Sequence, residues 1–401
     1  MSASAVDRPG RVAAGSWSGT WEGRDPAGGL IAVSCVDGRI NSVSRRDDLD
    51  ADAASAAGPY LLPGLVDLQV NGYAGCDLNA PGVEVDTVVE LVRALARTGV
   101  TGLAPTLVTA APEDLRHAAK VVADAVAQSQ EVAAAMAFLH VEGPHLSPED
   151  GYRGAHPPRQ IRPPDTAEFD AVADAARGHL GMVTVSPHYP GTAAYTAHAV
   201  ASGVRVAIGH THAHADEIAA TVAAGAAFST HLGNGCAALI PRHDNHLWPQ
   251  LADPRLTAGF IADGFHLTDE ALAAMLAAKG ERSYLVSDAV ALAGSPPGDY
   301  ESPIGGRVSL SADGRLSMAG TSMLAGAACP LSRGVATLAR LDRGTLARGV
   351  TLAAERPRRI AGWSPAFTVG EPADLLLVDH RPGDLDLTVL GVVAAGRHVL
   401  G

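Results

Sequence analysis

Phe138-Leu139-His140-Val141-Glu142-Gly143-Pro144-His145 is an apolar run that closes on a carboxylate and is then stopped by Gly-Pro. A short run of this kind, bounded by a turn signal, reads as a buried strand. Its last side chain, Glu142, then sits at the rim of a sheet. The arrangement recurs twice with imidazoles, in Val206-Ala207-Ile208-Gly209-His210 and in Ala227-Phe228-Ser229-Thr230-His231. One carboxylate and two His side chains form a three-ligand metal set with a position left for water.

Outward from these three, apolar runs end near Val70, Leu107, Glu142, Val185, His210, His231, Ile261 and Asp288. Helical patterns separate most of them. Val88, Leu91, Val92 and Leu95 keep one face apolar, as do Leu115, Ala119, Val122 and Val126. A later helix is expected to start at Thr268 as N-cap, with Asp269 and Glu270 in its first turn, where the dipole favours acids. This alternation predicts an α/β fold, a TIM-like (β/α)8 barrel. It is preferred to an open doubly wound sheet because the metal-capable residues gather at strand C-terminal ends, where a barrel presents its site.

The chain ends differ in character. Residues 1–28 are rich in Gly, Ser, Ala and Pro, and the first dozen are expected to be disordered. Leu30–Val33 and Ile40–Val43 flank Asp37-Gly38, a hairpin signal. At the other end Asp374–Asp379, Leu387–Val393 and His398–Leu400 read as strands, the last two turning at Ala395-Gly396. Either end alone would leave an uncovered apolar face, so both are expected to build one small β-sandwich beside the barrel. The division is then 1–60 and 363–401 for the sandwich and 61–362 for the barrel. After the eighth strand, Arg307–Leu310 and Arg315–Met318 flank Asp313-Gly314 as another hairpin, and a final helical region runs through about Glu355.

With 401 residues and 47% hydrophobic side chains, the chain is long enough for a large core. Its net charge of −13, with no basic block, argues against a nucleic-acid partner. No segment nears the roughly 20 apolar residues of a membrane span. No apolar stretch follows Asp7, Arg8 and Arg11, so no signal peptide is expected. Cys35, Cys76, Cys236 and Cys329 are widely spaced, which speaks against a disulfide framework and for a reducing cytoplasm.

Glu142, His210 and His231 suit Zn²⁺, with Fe²⁺ or another first-row divalent ion as alternatives. Asp288, at the exit of Tyr284-Leu285-Val286-Ser287, is placed to take a proton from a metal-bound water and return it to a leaving amine. His266, in Asp263-Gly264-Phe265-His266, can meet a substrate carbonyl or hydroxyl. Backbone N–H groups at Asn234 and Gly235 can bind anionic oxygens, and Arg242 in the same loop can pair with a phosphate. Gln69 and Asn71 close the first barrel strand. Amides are poor zinc ligands, so a single metal per chain is the natural reading. His140, His145, His156 and His212 lie near these motifs as supporting or substrate-contact positions.

The motif order resembles the amidohydrolase superfamily and, within it, the N-acetylglucosamine-6-phosphate deacetylase family. The carrying residues are Pro63-Gly64-Leu65-Val66-Asp67-Leu68-Gln69-Val70-Asn71-Gly72, Ala104-Pro105-Thr106-Leu107-Val108-Thr109 and His140-Val141-Glu142-Gly143-Pro144 through Gly154-Ala155-His156. They continue in Gly209-His210-Thr211, Thr230-His231-Leu232 with Asn234, Ile261-Ala262-Asp263-Gly264 with His266, and Val286-Ser287-Asp288-Ala289. The resemblance runs from about residue 30 to the C-terminus. It implies a barrel with a terminal β-sandwich, and hydrolysis of the acetamido group of an amino-sugar phosphate by a homodimer. It implies Glu142, His210 and His231 as metal ligands, Asp288 as acid/base, and His266 polarising the amide carbonyl. Asn234, Gly235 and Arg242 match the phosphate side, with Arg242 reaching a neighbouring subunit's site. Ala155, His156, Met318, Ala319 and Gly320 match further substrate contacts.

Two stretches depart from the family pattern, Gly233-Asn234-Gly235-Cys236 and Ile240-Pro241-Arg242-His243-Asp244-Asn245, both on the side that should hold phosphate and sugar. The reaction type is therefore better specified than the substrate. Another N-acyl amino sugar or a cyclic amide is the alternative, and a catalytically silent scaffold is disfavoured by retention of the ligands and Asp288.

Overall fold

The structure is a computed structural model and describes residues 11–46, 58–302, 306–321 and 323–401. Near the N-terminus lie β1 (Gly19–Arg24), β2 (Leu30–Val36), β3 (Arg39–Arg46) and β4 (Tyr60–Pro63). The barrel begins with β5 (Leu65–Val70), followed by a short ribbon of β6 (Gly72–Tyr73) and β7 (Cys76–Asp77). Its remaining strands are β8 (Val100–Val108), β9 (Leu139–Glu142), β10 (Leu180–Val185), β11 (Arg205–Ile208), β12 (Phe228–Ser229), β13 (Thr257–Ile261) and β14 (Ser283–Val286). Neighbours pair in parallel and in sequence order from β5 to β14. The ring closes where Asp288 N–H donates to Gln69 O (3.0 Å) and Asn71 N–H donates to Ala289 O (2.8 Å). The expected eight-stranded barrel is therefore what forms.

Alternation along the strands divides the apolar side chains between two cores. Val66 and Leu68 of β5 join Phe138, Met182, Ile261 and Val286 in one cluster. Leu65 joins the helix-facing cluster, and so does Val70, because an irregularity between Asp67 and Val70 breaks the alternation there; Val88, Leu91, Val92 and Leu95 of the helix Val85–Ala96 are buried in the same cluster. Thr268 caps the helix Asp269–Lys279, accepting from Ala271 N–H at 3.3 Å.

Beyond β14, β15 (Gly298–Ser302), β16 (Gly306–Leu310) and β17 (Leu316–Met318) form an antiparallel sheet. Val308, Leu310 and Leu316 of this sheet pack against Ala289 and Ala293, which roofs the exit of β14. The strand β15, in Gly298-Asp299-Tyr300-Glu301-Ser302, was not evident in the sequence because it carries no apolar alternation. The last helical region also runs on past Glu355, to Ala361.

The chain closes with β18 (Leu375–Asp379), β19 (Thr388–Ala394) and β20 (Arg397–Leu400). They join the N-terminal strands in one sheet of order β20-β19-β18-β4-β1-β2-β3. Its two arms enclose Ile31, Val33, Cys35, Leu61, Leu375 and Val393. The hairpin turn falls at Asp37-Gly38 as expected, both with positive φ (48° and 75°). β1 lies inside the Gly- and Ser-rich stretch that gave no strand signal.

The expectation of disorder for the first dozen residues falls mostly outside the described residues, and it fails at Arg11. That guanidinium is buried, pairs with Asp374 and donates from Nε to Ala134 O at 2.9 Å.

Candidate metal centre

β9 delivers Glu142 directly. β11 and β12 stop two residues short of His210 and His231, and both histidines then turn into the left-handed region (φ 47° and 26°). Asp288, two residues past β14, does the same (φ 52°). That conformation costs an L-residue of order 1–3 kcal/mol and is retained where the side chain is needed at that point.

The two turns bring the histidine Nε2 atoms to 3.1 Å from each other. Glu142 Oε1 lies 2.9 Å from His231 Nε2 and 3.3 Å from His210 Nε2, without hydrogen-bond alignment to either. All three side chains are buried. His210 Nδ1 donates to the Tyr152 carbonyl at 2.9 Å, which leaves Nε2 as the lone-pair atom of the neutral ring. Lone pairs from two imidazoles and a carboxylate thus converge on one point, and a divalent cation is the group that satisfies them. These residues form the one cluster of three or more His, Cys, Asp or Glu groups with metal-ligand spacing among the described residues. Burial alone would raise Glu142, but His210 and His231 hold it well below the usual carboxylate range. His231, which burial alone would push down, is raised to about 9 by Glu142. Such a pair gives up its shared proton when a metal takes its place.

Asp288 is buried beside this cluster. Asn71 Nδ2 and Gln69 Nε2 both donate to its Oδ1, at 2.7 and 3.2 Å, which leaves Oδ2 for proton exchange. Burial, and then the charge of Glu142, push its pKa up to about 6. The two amides read from sequence only as non-ligands therefore orient the candidate base.

Asp67 lies one layer deeper. It is fully buried, and its Oδ1 accepts from the N–H of Ser287 (3.1 Å) and of Gln69 (3.4 Å). Burial pushes its pKa up to about 7. A raised folded pKa means its stabilising contribution is complete below the unfolded value and is lost as pH rises through about 7. Asp67→Asn keeps the acceptor and removes the titration. Its melting temperature should exceed that of the parent at pH 8, with the gap closing towards pH 5. Parallel melting curves across that range would show that Asp67 is not the titrating group.

His266 is fixed by Asp263, whose Oδ2 lies 2.7 Å from Nδ1 and whose Oδ1 accepts from the His266 N–H at 2.9 Å. That leaves Nε2 to meet a substrate oxygen. His156 stacks edge-on to His210 with ring centroids 4.4 Å apart, and its Nδ1 meets Thr109 Oγ1 at 2.9 Å. Ala155 precedes it on the same half-buried loop. Among the other nearby histidines, His140 Nε2 meets Thr184 Oγ1 at 2.8 Å, and His145 Nδ1 donates to Arg162 O at 3.2 Å. Met318 packs into the cluster beyond Asp288, Ala319 N–H donates to Arg307 O at 2.9 Å, and Gly320 is exposed with φ 76°.

The loop after His231 departs from expectation. Asn234 turns its backbone N–H back to His231 O at 3.0 Å, so that group is not open to an anion. Its side chain caps the same carbonyl at 3.3 Å. Arg242 is exposed, and its guanidinium has no ion pair among the described residues. Its carbonyl accepts from Trp248 Nε1 at 3.0 Å, and its exposed side chain lies outside the buried cluster of its own chain. Gly235 is required where it is. Its φ is 57°, and an added Cβ would lie 2.6 Å from His210 Nδ1. Gly235→Ala should push His210 off its ligand position and weaken metal affinity by about 10–100-fold, as loss of a ligand's support commonly does. A metal titration of the apoprotein reads this directly, and an unchanged affinity would show that the loop yields instead.

Comparison with known proteins points the same way. The profile of the Amidohydrolase family matches residues 60–399. N-acetylglucosamine-6-phosphate deacetylase of Danio rerio is 30% identical, with 84% of each chain covered. N-acetylgalactosamine-6-phosphate deacetylase of Escherichia coli O157:H7 is 30% identical over 75% of this chain and 78% of that one. Among solved structures, an aspartate-to-alanine mutant of the N-acetyl-D-glucosamine-6-phosphate deacetylase of Mycobacterium smegmatis, in complex with N-acetyl-D-glucosamine-6-phosphate, superposes with a TM-score of 0.79. It is 29% identical and covers 97% of this chain and 98% of its own.

Proposed function

The chain belongs to the amidohydrolase family, and we propose that it hydrolyses the acetamido group of N-acetylglucosamine 6-phosphate to glucosamine 6-phosphate and acetate. The observation that carries this reading is the convergence of Glu142, His210 and His231 within 3.3 Å of one another beside the buried Asp288. A divalent ion held by those three residues supplies Lewis acidity and lowers the pKa of a bound water towards neutrality. We propose a single ion per chain, with Zn²⁺ favoured by the donor set and Fe²⁺ as the alternative.

Asp288 Oδ2 takes the proton of the attacking water, while Asn71 and Gln69 hold Oδ1. His266 meets the carbonyl oxygen through Nε2 and stabilises the charge that develops there. Asp288 then gives its proton to the leaving nitrogen and the C–N bond breaks. Because the base must be ionised, kcat/KM should rise with pH along an acid limb. A cation close to Asp288 lowers its pKa, so that limb should have its midpoint at or below about 6. A pH–rate profile with the midpoint well above this would remove Asp288 from the role.

The proposed setting is a homodimer in a reducing cytoplasm. Leu239, 91% exposed, precedes Arg242 on the loop after His231, and Trp248, 52% exposed, follows it in the first turn of the helix Leu247–Ala252, which suits a surface covered by a second copy. The four cysteines are free, and no helix among the described residues is long and apolar enough to cross a membrane.

The test measures acetate released from N-acetylglucosamine 6-phosphate, its unphosphorylated parent and N-acetylgalactosamine 6-phosphate, with bound metal quantified in the same sample. Preference for the first substrate, with metal equimolar to chain, is expected. A metal-loaded protein that cleaves none of them would keep the amidohydrolase site and sink the substrate.

A further inference from the structure

The inside of the barrel is layered, because every second residue of a strand points inward. On β9 and its lead-in the inward residues are Phe138, His140 and Glu142, and on β10 they are Met182 and Thr184. Ala207 and Gly209 continue the series along β11 and just past it, and Phe228 and Thr230 do so for β12. Phe138, Met182 and Ala207 belong to the interior apolar cluster, with Phe228 packed against it. One step up the layer is polar, and His140, Thr184 and Thr230 are all buried there. Glu142 heads the next layer, while His210 and His231 directly follow Gly209 and Thr230.

The polar layer is joined by hydrogen bonds. His140 Nε2 meets Thr184 Oγ1 at 2.8 Å, and Thr184 Oγ1 meets Thr230 Oγ1 at 2.6 Å. The first contact links neighbouring strands. The second does not, because β11 lies between β10 and β12. Two strand spacings are about 9–10 Å, a gap that two threonines close only over a strand that presents no side chain there. Gly209 presents none. An added Cβ would lie 2.8 Å from Thr184 Cγ2 and 2.9 Å from Thr230 Cβ. Its backbone is outside the left-handed region, so turn geometry does not call for glycine here, but the hydroxyl contact does.

This bridge touches all three ligand positions through the backbone. Thr184 pairs in register with Glu142, and its carbonyl accepts the Gly143 N–H at 3.2 Å. Thr230 N–H donates to Ile208 O at 2.9 Å, one residue before Gly209. His231 has the most need of support. Both histidines leave their strands by left-handed turns, but His210 has its second nitrogen held by the Tyr152 carbonyl. His231 Nδ1 has no hydrogen-bond partner on another residue among those described. A metal-ligating imidazole is ordinarily fixed through that second nitrogen. For His231 the restraint has to come through the backbone, and Thr230 is where the bridge applies it.

We infer that His140, Thr184 and Thr230, closing over Gly209, are positioning residues that hold the strand ends carrying Glu142 and His231 at ligand spacing on either side of His210. The inference rests on the metal centre proposed above and is independent of the substrate. Thr184 is the middle member. Its hydroxyl gives one hydrogen bond and takes another, which valine, of the same shape, cannot do.

The experiment titrates Zn²⁺, and Fe²⁺ without oxygen, into the metal-free full-length protein against a competing chelator. The parent is compared with Thr184→Val, Thr184→Ser, Thr230→Val and the double valine variant, and the melting temperature of each apoprotein is recorded. Kd should rise about 10–100-fold in both single valine variants and return to within about twofold of the parent in Thr184→Ser. The double variant should bind no worse than the weaker single one, because both substitutions remove the same bond. A Kd within about twofold of the parent in the valine variants overturns the bridge even if the melting temperature falls, since the threonines are then ordinary core contacts. Losses that add in the double variant overturn it as well. If Thr184→Val does not fold, Thr230→Val breaks the same bond from the other side and decides by the same comparison. A parent that takes up neither ion removes the metal centre and the bridge's role with it. A parent that binds the ion with a Kd indifferent to the threonines keeps the centre and loses only the bridge.

Discussion

Asp288→Asn should retain the metal and lose kcat by a factor of about 10²–10⁴, the range general acid–base catalysis contributes. The substitution is nearly isosteric, and Asn71 and Gln69 still find an oxygen acceptor at the position of Oδ1. What disappears is the atom that takes and returns the proton. The ligands Glu142, His210 and His231 do not hydrogen-bond to Asp288, so their geometry has no reason to change. Near-equal metal content and KM with a collapsed kcat would establish proton transfer as the role. Loss of metal alongside activity would instead make Asp288 part of the metal site. The acid limb of the pH–rate profile gives an independent check, because it should vanish from any residual activity of the variant.

How far this site could be read from sequence follows from what kind of information each part needs. Glu142, His210 and His231 were legible because each ends an apolar run, and strand ends on one rim converge when the sheet closes. The barrel was legible for the same reason, through the spacing of the runs. The two amides at Gln69 and Asn71 were legible only as an absence of ligands. Their bonds to Asp288 depend on β14 closing against β5, a pairing between residues more than two hundred positions apart. The left-handed turns at His210, His231 and Asp288 gave no signal either, since glycine is what normally marks such turns and here the side chain is kept. Asn234 shows the opposite failure. A flexible-looking Gly-Asn-Gly suggested free N–H groups, but the tight turn spends the Asn234 one on the carbonyl of the ligand before it. β1 and β15 escaped because their strands carry charged and small residues and take their stability from neighbours already in place.

Asp374→Ala should cost about 3–5 kcal/mol of folding stability, the usual consequence of removing one partner from a buried ion pair. Asp374 is fully buried at the foot of β18, where it pairs with Arg11 and Arg358 and accepts the Ala395 N–H at 2.8 Å. One carboxylate thereby ties the N-terminal segment, the helix Arg356–Ala361 and the β19–β20 turn together. Both guanidiniums also pack over the Trp363 ring, Arg11 at 4.0 Å and Arg358 at 5.8 Å, and so have no easy route to water. Without Asp374 they remain as two like charges in a low-dielectric space. Arg11→Ala is the informative control, because it leaves a single matched pair, Asp374 with Arg358, and should cost distinctly less. The acid side of the stability curve carries the same information. Burial alone would raise Asp374, but Arg11 and Arg358 hold it below its ordinary value. Its contribution is therefore complete above the unfolded pKa of about 3.9 and is lost as pH falls through the lower folded one. Urea unfolding from pH 7 down to pH 3 should show a loss in the parent that is blunted in Asp374→Ala. A variant within about 1 kcal/mol of the parent would mean that the two arginines reach solvent when unpaired, and that the terminal sheet is held to the barrel by apolar contact alone.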